Sequence, residues 1–346
     1  MAYSTIDKSS SFMNPKIYTG TNLSNAITGV GFAPAFTWIK TRTLGEAHIL
    51  TDVVRGATKT LSSNVTDEQT TNTADLTSFD SDGFTVGTNN RVNNSNMVAW
   101  NWKAGTTSGL SGGTITPSSY SINATSGFGI YKWTGTGTAG TITHGLGSTP
   151  KMMIVKAISG APGGAQAWSV YHEALGATKI MHLNNATVPS TQTDWNDTSP
   201  TSTVFSVGTA NRTNAVGGDY IAYVFANVSG YSKFGSYKGN GNVDGPFVYL
   251  GFKPSYLVFK NTTTAGEEWK ILDSSRDPIN RASDKVLVIE QDVAESDATN
   301  ALTDFVANGF KIRSTHNAIN KNGSTFIYWA FGQPIISNSG TPATAR

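Results

Sequence analysis

The sequence has no cysteine in 346 residues. That absence removes disulfide staples, thiolate metal sites and cysteine nucleophiles together, and leaves packing as the source of stability. Charge is scarce as well: Lys, Arg, Asp and Glu make up 14% of the chain, against about 25% in an ordinary soluble domain. With 25 Lys and Arg against 23 Asp and Glu, the net charge is +2. Such a chain sets up no field to steer nucleic acid or insert at an anionic membrane, because both need clustered Lys and Arg. No apolar run approaches the roughly 18 residues that cross a bilayer. Residues 1–11 lack the basic and apolar regions of a secretory signal, so synthesis without a signal peptide in a cytoplasm is expected.

Polar character comes instead from Thr, Ser, Asn and 36 Gly, residues that favour turns and strands over helices. That argues against a helical bundle or coiled coil. The 8 Trp, 12 Tyr and 16 Phe supply ample area for a packed core.

Ordered anchors recur three times along the chain. An aromatic residue precedes a Gly by two positions at Tyr18-Thr19-Gly20, Trp133-Thr134-Gly135 and Tyr237-Lys238-Gly239. Next comes a Pro with a Lys six residues later: Pro34/Lys40, Pro150/Lys156 and Pro254/Lys260. Apolar runs lie between them, and short runs rich in β-branched and aromatic residues after a Pro read as buried strands. A third anchor ends in Asp52, His172 and Asp273; Arg55 and Arg276 follow the two Asp by three residues, whereas the second copy has Leu175. Phe79-Asp80-Ser81-Asp82-Gly83-Phe84 matches Phe305-Val306-Ala307-Asn308-Gly309-Phe310, with a shortened Phe205-Ser206-Val207-Gly208 between them. The closing runs centre on Trp100, Tyr223 and Trp329.

These spacings suit whole small domains rather than solenoid units. The expected fold is all-β: three tandem homologous β-sandwich domains, with jelly-roll topology an option. The domains span 12–104, 127–228 and 232–334, after an N-terminal arm (1–11) and before a polar C-terminal tail (335–346). Residues 105–126, rich in Gly, Ser and Thr, read as a flexible linker. Short helices are predicted over Thr66 to Leu76 and Asp292 to Leu302.

Motifs that carry chemistry are few. His172-Glu173 lacks the second His that a zinc-protease helix needs, since position 176 is Gly. Gly135-Thr136-Gly137-Thr138-Ala139-Gly140 matches a dinucleotide fingerprint in letters, but no helix or distant acid follows it, and a hairpin turn accounts for it. Asp80-Ser81-Asp82-Gly83 offers closely spaced oxygens for Ca2+, yet the third copy keeps only the turn former and the Gly. The Asp52/Arg55 and Asp273/Arg276 pairs resemble an activated carboxylate. Their duplication in one chain reads as structural ion pairing. No catalytic residue, resident cofactor or metal is therefore expected, Ca2+ being the one alternative. Aromatics beside Asn, Thr and Asp would suit sugar rings where they are exposed.

The opening Met1 to Ser10, together with Gly31-Phe32-Ala33-Pro34, Asp52-Val53-Val54-Arg55-Gly56, Ser78 to Phe84, Val98 to Ala104 and the ending Thr341 to Arg346, resembles a repeat family of tailed bacteriophages. That family is frequent in viruses of marine bacteria and cyanobacteria, and the likeness covers nearly the whole chain. The resemblance implies a virion structural or tail-fibre protein and no catalytic residues. Together with the triplicated β-domains it leads to the expectation of a non-enzymatic tail fibre or receptor-binding appendage on the virion surface that attaches to the host. Alternatives are a capsid decoration (cement or knob) protein and a carbohydrate-binding or depolymerase module. Expected partners are other virion proteins, further copies of the chain (a trimer foremost) and host-surface glycan. One departure is His48, where the other copies have Trp168 and Trp269.

Overall fold

The computed structural model describes residues 4–277, 283–297 and 301–336. Nearly all regular structure in it is antiparallel β-sheet. Of the expected C-terminal tail only 335 and 336 fall among the described residues, and residues 1–3 of the N-terminal arm fall outside them.

Each of three lobes is built on one main sheet. Its opening strand is Met13–Thr19, Phe128–Thr134 or Ser232–Lys238 in the first, second and third lobe. The closing strands are Asn96–Trp102, Asp219–Ala226 and Thr325–Pro334. Beside these lie the proline strands Phe36–Thr41, Pro150–Ser159 and Phe252–Asn261, followed by outer strands Ile49–Asp52, Ser169–His172 and Lys270–Asp273. In every lobe the order is opening, closing, proline, outer. The first and last strands of the repeat thus meet early in the sheet, and each lobe closes on itself.

The prolines behave as their lack of an N–H requires. Pro34 stands just ahead of its strand, whereas Pro150 and Pro254 lie at register shifts against their closing strands. A bulge there takes the proline out of the hydrogen-bond ladder.

Alternation along the strands decides what lies where. One face of each main sheet carries Phe36, Trp38, Trp100 and Trp102, or Met152, Ile154, Tyr223 and Phe225, or Tyr256, Val258, Trp329 and Phe331, and all twelve belong to one continuous core. The opposite faces pack into separate local cores. Each local core is covered by a small sheet, formed by Asn25–Thr28, Gly83–Val86 and Leu76–Asp80 in the first lobe. The third lobe repeats it with Phe247–Tyr249, Gly309–Ile312 and Thr303–Val306. In the second the small sheet has two strands, Gly140–Thr143 and Val204–Val207, with bridges from Gly113 and Ile115 to Ile142 at its edge.

Each lobe is therefore a two-layer sandwich, but the three share a core. At its centre Trp102, Phe225 and Phe331, equivalent residues of the three closing strands, meet with ring centroids 5.9–6.3 Å apart. The chain is not three self-contained beads, because one face of every main sheet would be exposed if its lobe stood alone.

Three local expectations change. The segment 105–126 carries the strand Ser119–Asn123, which pairs with the second lobe's opening strand, and Gly113 and Ile115 bridge to Ile142. The alternation of Tyr120 and Ile122 gives it a sheet face that composition masked. In 66–76 the regular structure is strand, Thr70–Thr71 and the start of Leu76–Asp80, because β-branched Thr favours strands and Asn and Asp favour turns. Within 292–302, Ser296–Asp297 is a strand, and 298–300 lie outside the described residues. The arm folds back: Ile6 enters the shared core, and Ser9 donates to Gln333 Oε1 through both its amide (3.0 Å) and its hydroxyl (3.1 Å).

Candidate functional site

The sequence-singled acids and arginines converge on the junctions between lobes. Asp52 ends its outer strand and turns the chain, its Oδ1 accepting the amides of Val54 (3.0 Å) and Arg55 (2.9 Å). That turn brings Arg55 Nε to 2.6 Å from Asp52 Oδ2. Tyr223 of the second lobe donates its hydroxyl to the same oxygen at 2.8 Å and accepts from Arg55 Nη2 at 3.2 Å. Phe36 stacks on the Tyr223 ring at 4.2 Å. Burial, with the Asp52 charge alongside, holds the Tyr223 hydroxyl well above its ordinary pKa, so it stays a donor.

The third lobe clamps the first in the same way. Asp273 Oδ1 accepts the Ser275 and Arg276 amides, and Arg276 Nε lies 2.5 Å from Oδ2. Trp100 Nε1 donates to Oδ2 at 2.9 Å, and the Arg276 guanidinium sits 5.7 Å from the Trp100 ring centre. Both Asp–Arg pairs are sealed, with side-chain exposures of 0–1%.

The second lobe meets the third through His172. Its Nδ1 accepts the Ala174 amide, so Nε2 carries the proton and donates to Tyr328 O at 3.1 Å. Burial pushes this imidazole down to about 4, which keeps it neutral. Leu175, at the arginine's position, packs against the shared core, where the Trp329 and Trp269 rings meet at a 50° tilt with centroids 5.4 Å apart. The three contacts form a ring: first lobe on second, second on third, third on first.

A second ring runs the opposite way. Lys40 donates to Asp292 O of the third lobe at 3.1 Å, Lys156 to Thr66 O of the first at 2.8 Å, and Lys260 to Ala186 O of the second at 3.4 Å. Desolvation lowers each of these ammonium groups to about 8. The aromatic position follows suit. Trp168 donates to Ser62 O, Trp269 to His182 O, and His48 Nε2 to Val288 O at 2.9 Å. Trp38 Nε1 donates to His48 Nδ1 and fixes that tautomer. His48 therefore makes the same cross-lobe bond as the two tryptophans. The lysines were visible in the sequence as spacing markers, and their recurrence inside apolar runs was the signal for a buried role. Arg42, which grips Glu295 of the third lobe at 2.6 Å, left no such trace.

The remaining motifs are held by the chain itself. In the Gly135–Gly140 hairpin, Thr136 donates to Asn214 Oδ1 (2.9 Å) and Gly137 to Asn214 O (2.8 Å), so these amides are not left to cradle a phosphate. Asn93 and Asn320 latch the equivalent hairpins of the other lobes. A Cβ on Gly135 would lie 2.2 Å from Ala215 O, which explains the glycine. Asp82 accepts the Gly29 and Gly31 amides at 2.9 and 2.7 Å, and Asp80 accepts the hydroxyls of Ser78 and Thr85. Among the described residues no group of three or more His, Cys, Asp or Glu is placed to hold a metal ion.

Fold and junctions together define the chain as a three-lobed all-β protein whose buried charges act as struts. A family model described as a domain of unknown function, DUF7483, matches residues 8–334, and the chain belongs to that family. The match runs through all three lobes as one unit. Neither the curated proteins nor the solved structures include a match to the chain.

Proposed function

We propose that the chain is a non-enzymatic structural protein on the surface of a tailed bacteriophage, serving as a tail fibre or receptor-binding appendage in host attachment. The observation that carries this reading is the burial of the acid–arginine pairs: groups that would do chemistry in an open cleft are spent joining lobes. A rigid, charge-poor unit suits a part that buries its faces against neighbours, since few charges then need desolvation. The sequence resemblance to phage repeat proteins supplies the setting.

A capsid decoration or cement role is the second reading, and the threefold likeness of the lobes favours it, because one chain then offers three related faces to a threefold position. In either role the partners are other virion proteins and further copies of the chain, with a trimer the first state to test. A depolymerase would need two opposed carboxylates open to substrate, whereas Asp82 accepts the Gly29 and Gly31 amides of a neighbouring turn and Asp80 the hydroxyls of Ser78 and Thr85.

Cryo-electron microscopy of purified virions tests the proposal. The expected result is density for the three-lobed unit at the tail or on the capsid, with copy number separating the two; absence of the chain from virions overturns it. New reducing ends after incubation of the pure protein with host polysaccharide would overturn the non-enzymatic assignment.

A further inference from the structure

Because the lobes are alike, a departure in one of them is informative. Each small sheet begins with a strand whose alternate residues point away from the local core. In the first lobe those residues are Ala26 and Thr28, and in the second Thr141 and Thr143, while Ile27 and Ile142 point inward. In the third lobe Val248 points inward and the outward positions are Phe247 and Tyr249, 48% and 52% exposed. Two large rings are thus half-exposed where the sister lobes carry small residues.

The surroundings make an aromatic shelf with a charged rim. Tyr249 is paired with Gly309, where the Val248 carbonyl oxygen, 2.1 Å from the place a Cβ would take, already requires glycine, and the edge of the Phe247 ring lies 3.1 Å from the same place, over the bare backbone. Lys233 Nζ donates to Tyr249 O at 2.8 Å and sits 5.5 Å from the Tyr249 ring centre. Lys311 is in register with Phe247 on one side and Asp304 on the other. Around the shelf Asp244 accepts from Lys311 (2.8 Å), and Arg313 bonds Asp304 at 2.6 Å. The Asp244 side chain is 77% exposed.

We propose that this face of the third lobe binds a neutral carbohydrate. Two rings on alternate residues of a strand lie roughly 7 Å apart and offer apolar surfaces to the C–H faces of adjacent sugars. The carboxylates and cations at the rim supply the acceptors and donors that ring hydroxyls need. The mixture of signs identifies the ligand class. Asp244 and Asp304 disfavour a polyanion, Lys311 and Arg313 disfavour a polycation, and an uncharged polyol can use both. The inference names a ligand for the attachment role proposed above and rests on that reading for its biological setting only.

The test is glycan-array screening followed by titration calorimetry of the full-length chain with neutral hexose and N-acetylhexosamine oligosaccharides. The expected result is binding to at least one of them that weakens about tenfold or more in Phe247→Ala or Tyr249→Ala, with the melting temperature kept. Thr28→Ala, at the equivalent place in the first lobe, should leave the affinity unchanged. No binding across the array, or affinity unaffected by both ring truncations, overturns the proposal. So does self-association that disappears in the same variants, which would make the face a contact between copies. Glycan binding by a chain absent from virions would sink the virion role and uphold the shelf.

Discussion

Two of the three lobe junctions are closed by a carboxylate and a guanidinium sealed from water, and the third by a neutral imidazole. Asp52 with Arg55 sits under Tyr223, Asp273 with Arg276 under Trp100, and His172 with Leu175 beside Tyr328 and Trp329. The chemistry differs and the geometry agrees. In each case a polar group at the end of the outer strand caps its own turn through a backbone amide and bonds to the closing strand of the next lobe. What the fold requires at this place is a hydrogen bond across the junction, and charge is one of two ways to supply it. A buried ion pair is not intrinsically more stabilising than a neutral contact of similar volume, whereas half of one is costly.

The largest effect should therefore come from halving a pair. Asp52→Ala leaves the Arg55 guanidinium buried beneath Tyr223 without its carboxylate, and a loss of about 3–5 kcal/mol is expected in urea denaturation; Asp273→Ala should cost less, because Glu295 still lies 2.8 Å from Arg276. The double change Asp52→His with Arg55→Leu writes the second junction's residues into the first, and most of the stability should remain. A loss as large as that of Asp52→Ala would break the comparison, since it would make charge itself the requirement.

The lysine ring tests the junctions through pH. Lys40, Lys156 and Lys260 have folded pKa values near 8, below the ordinary lysine value of 10.5. Between about pH 8 and pH 10 the unfolded chain holds protons that the folded chain has released, so these groups make stability rise with pH in that window. The slope is at most roughly 1 kcal/mol per pH unit for each lysine. Lys156→Met should remove about a third of it, read from urea midpoints at several pH values. An unchanged slope would mean that the ammonium groups reach water.

A smaller contrast lies beneath the outer strands. The amide of Trp168 is capped by neutral Asn184, and that of Trp269 by Glu290. Burial raises Glu290 to about 7. Its folded form thus takes up a proton that the unfolded carboxyl lacks between about pH 4.5 and 7, and its share of stability falls as pH rises through that window. Glu290→Gln should make the chain more stable at pH 8, on the order of 1 kcal/mol, with no gain at pH 4. Thermal melts at the two pH values check this. The smallest effect is expected from Lys151→Ala, which removes an exposed pair with Glu173 next to His172. A change of about 0–1 kcal/mol is anticipated, because surface ion pairs are screened.

Much of the strand pattern was legible in the sequence. Proline followed by an apolar run and a lysine marked three inner strands, and the runs around Trp100, Tyr223 and Trp329 marked the strands that pair with them. The shared core was not legible. Alternation shows that Phe36 and Trp102 lie on one face, but it is silent on whether that face meets its own lobe or Tyr223 and Tyr256 of the others. The same limit hid the cross-lobe bonds of His48 and the lysines, whose partners are backbone carbonyls of distant segments. Composition misdirected the reading of 105–126, where two alternating apolar residues suffice for an edge strand. Phe247 and Tyr249 carried no mark in the sequence, since alternation in a three-residue strand does not say which face is covered, and it is the burial of Val248 between them that turns them outward.

Differential scanning calorimetry of the intact chain tests the central claim most directly. A common core and two rings of cross-lobe bonds require the lobes to melt together, so one transition is expected, with calorimetric and van't Hoff enthalpies equal. Separate transitions, or a calorimetric enthalpy about three times the van't Hoff value, would contradict it and return the chain to three independent domains.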